Sequence, residues 1–272
     1  GYNVKIRMSE YLDLFNEIES DFLNYVDCFV DDDEEPEFLQ LINLKKEHSL
    51  KVSELSGKIA HSENFDDKTI LLCKVGGIMH DIGRFEQLNF YRTFDDLQSV
   101  DHGDLGHNVL SNTGFLEHFS TPEQLALLYA VKNHNKRYVT EYPDEISEKI
   151  TKVVRDADKL DVYRVMQESL EKESDENKST VLLNLEENGK ISDEAYQQFK
   201  NHKVVNKQQL KSAADFLVMQ LSWIFDVNYK STFNLISSSE GYQFITKCLK
   251  DDELFDNIND IITQYIEQKL TK

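Results

Sequence analysis

Apolar residues recur at three- and four-residue steps along most of the chain, which is the spacing of a helix that buries one face. The first such pattern covers about 9–29 and runs from Tyr11 to Val26. Residues 84–102 are rich in Phe, Tyr, Asp and Asn without this spacing, and predict an irregular loop. Further helices are predicted at about 37–60, 66–80, 103–113, 122–135, 145–166, 192–200, 206–226 and 253–269.

Two polar stretches interrupt the predicted helices. The acidic run from Asp31 to Glu35 ends at Pro36, which favours a loop before the second helix. The segment 168–178 is charged and weakly apolar, which is typical of a linker. Three parts are therefore predicted: an N-terminal helix with its acidic loop at 1–36, a central domain at 37–170 and a C-terminal helical extension at 171–272.

The composition favours an all-α fold and limits the partners. Only 10 Gly and 3 Pro occur in 272 residues, so helix breakers are few. The chain has 30 Lys+Arg against 50 Asp+Glu, a net charge of −20, which repels nucleic acid and anionic membranes. We expect no extended nucleic acid partner, and a small anionic substrate has to be met by metal ions or a few basic side chains.

The sequence also indicates a compartment. No stretch approaches the roughly 20 apolar residues of a membrane-spanning helix, and the first residues lack the pattern of a secretory signal. The three cysteines contain no CxxC pair, so neither a disulfide framework nor a thiolate zinc site is expected. We expect a cytoplasmic protein with no membrane partner; a homo-oligomer is compatible with the sequence.

Histidine is clustered, since seven of the eight histidines lie between 48 and 134. His48 lies on the apolar face of its predicted helix, either as a core residue or as a metal ligand. His80 and Asp81 are adjacent at a predicted helix end, where both side chains can reach one cation. They follow the pair Gly76 and Gly77, whose missing side chains allow another group to approach closely.

Asp158 adds a carboxylate to this set. It follows Val154 by one helical turn and so lies on the core side of its predicted helix. Either an ion pair with Arg155 or Lys159 or a bound cation would compensate its burial. With His48, His80 and Asp81 it forms a mixed nitrogen and oxygen set, suited to divalent manganese, iron, cobalt, nickel or zinc.

Three segments in this order, EHSLKV, GGIMHDIGR and RDADKLD, resemble the HD superfamily of metal-dependent phosphohydrolases. The resemblance spans about 37–170 and implies an HD-domain helical bundle, with additional N- and C-terminal helices around it. It also implies that a first metal ion is bound by four residues: His48, His80, Asp81 and Asp158.

Two further histidines bear on the number of metal ions. His102 in DHGDLGHNVL and His134 in VKNHNKRYV resemble ligands of dinuclear HD branches, which hydrolyse bis-nucleoside polyphosphates or cyclic dinucleotides. The resemblance implies a second ion at His102 and His134, with Asp81 bridging; alternatively one ion is bound and these histidines contact substrate phosphate. Asn135 stands where the cyclic-dinucleotide branch has a second histidine, and GYP is absent, which disfavours that substrate class.

The predicted function is therefore that of a metal-dependent phosphohydrolase, cleaving a small phosphoester, such as a nucleotide or nucleotide derivative, with a metal-activated water. Asp81 and Arg84 are the predicted catalytic residues, and Arg84, Lys159 and Arg137 are the predicted phosphate contacts. Two alternatives remain open. One is an HD-fold diiron oxygenase using the same six ligands, and the other is a metal-binding signalling module with little turnover.

Overall fold

The computed structural model describes residues 2–172 and 189–272. These residues form α-helices and short 3-10 helices with no β-strand among them, which confirms the all-α prediction. Contacts divide the chain into two compact units, Gly1–Asp158 and Lys159–Lys272. The division into 1–36, 37–170 and 171–272 stays a prediction. Within the described ranges, no helix has the length and apolar character needed to cross a membrane.

The first unit holds the helices that carry the candidate chemistry. A 3-10 helix, Asp96–Gln98, lies between the fourth and fifth of them, and the seventh continues into the second unit. The helices are α1 (Tyr2–Asp27), α2 (Pro36–Ser62), α3 (Asp67–Met79), α4 (Gly83–Tyr91), α5 (His102–Ser111), α6 (Thr121–Asn133) and α7 (Glu145–Lys172).

Side-chain caps fix where three of these helices begin. Asp66 accepts a hydrogen bond from the Thr69 backbone at the start of α3. At the start of α5, Asp101 accepts a hydrogen bond from the Asp104 backbone, and His102 is the first helical residue. Ser120 and Glu123 form a capping box at α6. Such caps satisfy free backbone N–H groups and so define the helix start.

Residues 84–91 belong to α4 and Asp96–Gln98 form the 3-10 helix, so the prediction of an irregular loop over 84–102 was wrong for these residues. Phe85 and Leu88, three residues apart, are fully buried, and the Phe85 ring packs edge-on against Phe22 of α1. Arg92 ends α4 in the left-handed conformation, with φ of 56°. The apolar pattern of a nine-residue helix is too short to stand out in the sequence, and packing against α1 decides its structure.

Two glycines let the helices around the candidate site approach closely. A Cβ atom at Gly77 of α3 would lie 2.8 Å from the Ser53 Cα atom of α2, and one at Gly83 would lie 2.6 Å from the Gly106 nitrogen of α5. A side chain at either position would therefore push two helices apart. The close approach at Gly77 agrees with the expectation for the Gly76 and Gly77 pair.

The second unit is also helical and differs from the prediction in detail. The helix expected over 206–226 is divided into two 3-10 helices, Lys207–Gln209 and Trp223–Asp226, around one α-helix. Helix α7 continues to Lys172 through part of the predicted linker 168–178, whose remainder lies outside the described residues. The α-helices among its described residues are α8 (Asp193–Lys200), α9 (Ala213–Ser222), α10 (Lys230–Ser237), α11 (Glu240–Lys247) and α12 (Phe255–Thr271); α10 and α11 were not predicted.

Candidate metal centre

The structure brings together the six residues that the sequence offered as metal ligands. They come from helix interiors, helix ends and the residues that follow them, so residues far apart in sequence meet at one place. All are buried except Asp158, whose side chain is one quarter exposed. The six are His48 in α2, His80 and Asp81 after α3, His102 at the start of α5, His134 after α6, and Asp158 in α7.

Four of these residues form a first group around the Oδ2 atom of Asp81. The Nε2 atom of His48 lies 2.9 Å from Oδ1 of Asp158 and 3.2 Å from Nε2 of His80. Both imidazole Nε2 atoms lie 3.5 Å from Oδ2 of Asp81. Nε2 of His80 also lies 3.4 Å from Oδ1 of Asp158, so both imidazole nitrogens lie beside oxygens of both carboxylates.

A second group surrounds the other oxygen of Asp81. The Nε2 atoms of His102 and His134 are 3.1 Å apart, and they lie 3.3 Å and 3.2 Å from Oδ1 of Asp81. The two groups thus share one carboxylate, with one oxygen directed to each. The bridging position that the family resemblance implied for Asp81 stays a prediction.

The outward-facing nitrogens show which ring atoms carry protons. Nδ1 of His80 lies 2.6 Å from the Gly77 carbonyl oxygen, and Nδ1 of His134 lies 2.7 Å from the Val131 carbonyl oxygen. A carbonyl oxygen only accepts, so these Nδ1 atoms are the donors. In the neutral rings the proton is then on Nδ1, and Nε2 presents a lone pair to the cluster.

The same holds for His102, whose Nδ1 atom donates to the Asp96 carboxylate at 2.7 Å. With neutral rings, the second group then consists of three acceptors about 3 Å apart with no proton between them. Ligand atoms about 2.1 Å from one metal ion and at angles of about 90–110° are about 3.0–3.4 Å apart. The separations in the second group match this range, so the residues fit a divalent metal ion.

Burial and neighbouring charges set the protonation of the cluster. Burial lowers the pKa of His134 to about 4, so the ring is neutral at pH 7. Burial alone would raise the pKa of Asp81, but nearby His80 and Lys45 hold it well below its ordinary value. The cluster therefore offers a neutral imidazole at His134 and an ionised carboxylate at Asp81, the forms that bind metal ions.

Asp96 anchors the second group from outside. One oxygen accepts from the ring and backbone nitrogens of His102, and the other accepts from Arg84 at 3.1 Å and from Gln87 at 2.9 Å. Burial alone would raise the pKa of Asp96, but its contacts with His102 and Arg84 lower it. An ionised Asp96 keeps the proton of His102 on Nδ1 and its Nε2 lone pair directed inward.

Arg155 binds the backbone of the loop that follows α6 and carries His134. Its Nη1 atom donates to the carbonyl oxygens of Asn133 and His134, both at 3.1 Å, and to that of Lys136 at 2.5 Å. The sequence had offered Arg155 only as an ion-pair partner for Asp158. A buried guanidinium that binds several carbonyl oxygens fixes the backbone that carries His134.

The predicted phosphate contacts occupy different surroundings. Arg84 donates to Gln87, to the Phe94 carbonyl oxygen and to Asp96 through one nitrogen, Nη1. Arg137 lies against the Tyr138 ring. In the second unit, Lys159 pairs with Asp226 at 3.0 Å. Arg84 is therefore connected to the centre through Asp96, which also binds His102. A substrate role for Arg84, Arg137 and Lys159 stays a prediction.

Two residues of this region were missed by the sequence reasoning. Lys45, one turn before His48 on α2, places its Nζ atom 3.7 Å from Oδ2 of Asp81. Burial and Arg84 lower the pKa of Lys45, whereas Asp81 and Asp158 oppose this effect. The spacing of Lys45 from His48 was available as a signal. Asp96 had none, because nothing distinguishes it from Asp95 and Asp101 nearby.

Comparison with known proteins places the cluster in a family. Residues 46–163 match the family model described as the HD domain. A crystal structure of a predicted HD superfamily hydrolase from an uncultured Thermotogales bacterium is 20% identical, covering 58% of this chain and 79% of that chain, with a TM-score of 0.37. No curated protein matches significantly. All six clustered residues lie within the matched range, so the chain contains an HD domain at residues 46–163.

Proposed function

We propose that this protein is a metal-dependent phosphohydrolase with two divalent metal ions, one in each group of ligand atoms. The first ion would be held by His48, His80 and Asp158, the second by His102 and His134, and Asp81 would bind both. One observation carries the proposal: the two oxygens of Asp81 face different pairs of imidazole Nε2 atoms at 3.2–3.5 Å.

The donor set also limits the choice of metal. Imidazole nitrogens combined with carboxylate oxygens suit manganese, iron, cobalt, nickel or zinc, and no thiolate is present among the clustered groups. When bound, a divalent ion acidifies water and neutralises negative charge on a phosphoryl group. Water can therefore serve as the nucleophile.

The residues of the chain then have defined tasks. The carbonyl oxygens of Gly77 and Val131 and the carboxylate of Asp96 hold the rings of His80, His134 and His102 with their Nε2 lone pairs inward. Asp81 sets the distance between the two groups because it belongs to both. Arg84 holds Asp96, and in this proposal it supports catalysis by keeping His102 oriented.

A covalent mechanism has little support among the described residues. Cys73 is the buried thiol nearest in sequence to the centre, and burial raises its pKa, so the thiolate form is disfavoured. The substrate we propose is a small phosphoester of the nucleotide or nucleotide-derivative class. The net charge of −20 supports a small substrate because it disfavours long polyanions.

A phosphate-release screen tests the proposal. Metal-stripped protein is reloaded separately with manganese, cobalt, nickel, iron and zinc, and each form is incubated with nucleoside mono-, di- and polyphosphates. We expect release with at least one metal and none with the stripped protein. The Asp81→Ala variant should be inactive, and His107→Ala, which changes a histidine of α5 outside the cluster, should retain activity.

Three results would contradict the proposal in different ways. Fully loaded protein that releases no phosphate from any compound would favour a metal-binding signalling module. Oxygen consumption by the iron-loaded protein without phosphate release would favour an oxygenase. Equal phosphate release by Asp81→Ala and the unaltered protein would place the activity elsewhere.

A further inference from the structure

Lys45 lies at the edge of the candidate metal centre. It precedes His48 by three residues on α2, and its side chain is 18% exposed. Its Nζ atom lies 3.7 Å from Oδ2 of Asp81 and 5.1 Å from the centre of the Phe94 ring. The contact with Asp81 is longer than a hydrogen bond, so the donors of this ammonium group are not saturated by it.

The other basic groups near the centre are already hydrogen-bonded to the protein. Arg84 binds Asp96 and the Phe94 carbonyl oxygen, and Arg155 binds the carbonyl oxygens after α6. Lys136 pairs with Asp101 at 2.9 Å and with Asp104 at 3.0 Å. Lys45 differs because its ionic contact is with Asp81, the carboxylate that two metal ions would share.

Metal binding changes the surroundings of Lys45. With two divalent ions bound, the cluster would carry a net charge of about +2 after the carboxylates of Asp81 and Asp158 and neutral imidazoles are counted. The charge of Asp81 is then taken up by the ions, and the Lys45 ammonium faces a positive centre. Like charges at such short range repel, and an anion between them removes the repulsion.

We propose that Lys45 forms an anion subsite beside Asp81 and binds a phosphoryl oxygen of the substrate. This inference rests on the proposed function, since it assigns a substrate contact within that site. The Phe94 ring limits the movement of the ammonium group on one side, so it would remain directed at the space next to Asp81. The subsite selects substrates that place a phosphate dianion there over neutral compounds such as polyols.

The test is a calorimetric titration of the metal-loaded protein with inorganic phosphate, together with elemental analysis of each variant. Lys45→Met should bind phosphate at least about tenfold more weakly, the effect of losing a hydrogen bond between charged groups. Its metal content should equal that of the unaltered protein. Lys45→Arg retains the charge and should remain within about threefold. Lys45→Gln provides a second neutral variant if Lys45→Met does not fold.

Lys46→Met is the matched control. Lys46 follows Lys45 on α2 but lines a cleft with Val26 and Val30 of the first unit, so phosphate binding should stay within about twofold. Unchanged phosphate affinity in the folded Lys45→Met or Lys45→Gln variant would overturn the subsite and leave the proposed function standing. Loss of metal in these variants would also overturn it, because Lys45 would then support Asp81. If the loaded unaltered protein neither binds phosphate nor releases it from any ester, the proposed function itself fails.

Discussion

Asp96 controls the second group of ligand atoms through His102, and its replacement by asparagine tests that control. The carboxylate of Asp96 accepts from hydrogen-bond donors on both sides: the backbone nitrogen and Nδ1 of His102 on one, and Arg84 and Gln87 on the other. In Asp96→Asn, one carboxylate oxygen becomes an NH₂ group. Whichever way the amide lies, one set of donors loses its acceptor.

The expected loss follows from the position of the His102 proton. The remaining amide oxygen is expected to face the charged donor Arg84, which leaves the NH₂ group opposite Nδ1 of His102. The ring is then favoured in the tautomer that carries its proton on Nε2, which has no lone pair for a metal ion. Outer partners of metal-binding histidines are worth about 10–100-fold in metal affinity. This corresponds to about 1.4–2.8 kcal/mol for the second ion. The first ion, bound away from His102, should change by less than about threefold.

Calorimetric titration of metal-stripped protein with manganese or zinc measures both affinities. Asp95→Asn is the control, since Asp95 precedes the same 3-10 helix and accepts from the Leu97 backbone at 3.0 Å, which asparagine can also do. Two ions bound by Asp96→Asn with unaltered affinities would refute the reasoning. An equal loss at both sites would show that Asp96 supports the whole domain rather than His102.

Three further results are expected. Asp81→Ala should lose both ions, and wild-type metal content by elemental analysis would contradict its shared position. Burial lowers the pKa of His134 from 6.5 to about 4, so His134 takes up a proton in the unfolded chain before it does in the folded protein as pH falls. The free energy of unfolding of the metal-free protein should therefore decrease by up to about 3 kcal/mol between pH 6.5 and 4. A free energy of urea unfolding that stays constant over this range would contradict the prediction. Arg155→Met should lower the affinity for the second ion and reduce the free energy of unfolding by about 2–4 kcal/mol, and Arg155→Lys should recover part of both. Unchanged metal affinity in Arg155→Met would show that the carbonyl contacts of Arg155 do not position His134.

The candidate site was predictable to the extent that its chemistry is visible in residue type and spacing. His80 and Asp81 are adjacent ligand types after a glycine pair, and Asp158 is a carboxylate at an apolar position of a helix, so each is unusual where it stands. The family resemblance added His102 and His134. The structure places all of them in one cluster, although their binding of metal stays a prediction.

The supporting residues were less predictable for physical reasons. Asp96 acts through a hydrogen bond to a residue six positions away, and its sequence neighbourhood contains several equivalent carboxylates. Arg155 binds backbone carbonyl oxygens about 20 residues earlier, a contact that leaves no pattern in side-chain types. The short helix α4 was missed for the same reason, because its structure depends on the packing of Phe85 against α1.

The most direct test of the central claim is anomalous scattering at the metal edge from crystals of the metal-loaded protein. Two peaks are expected on either side of Asp81, one among His48, His80 and Asp158 and the other between His102 and His134. A single peak in the first group, with His102 and His134 remote from any metal under saturating conditions, would contradict the two-metal account.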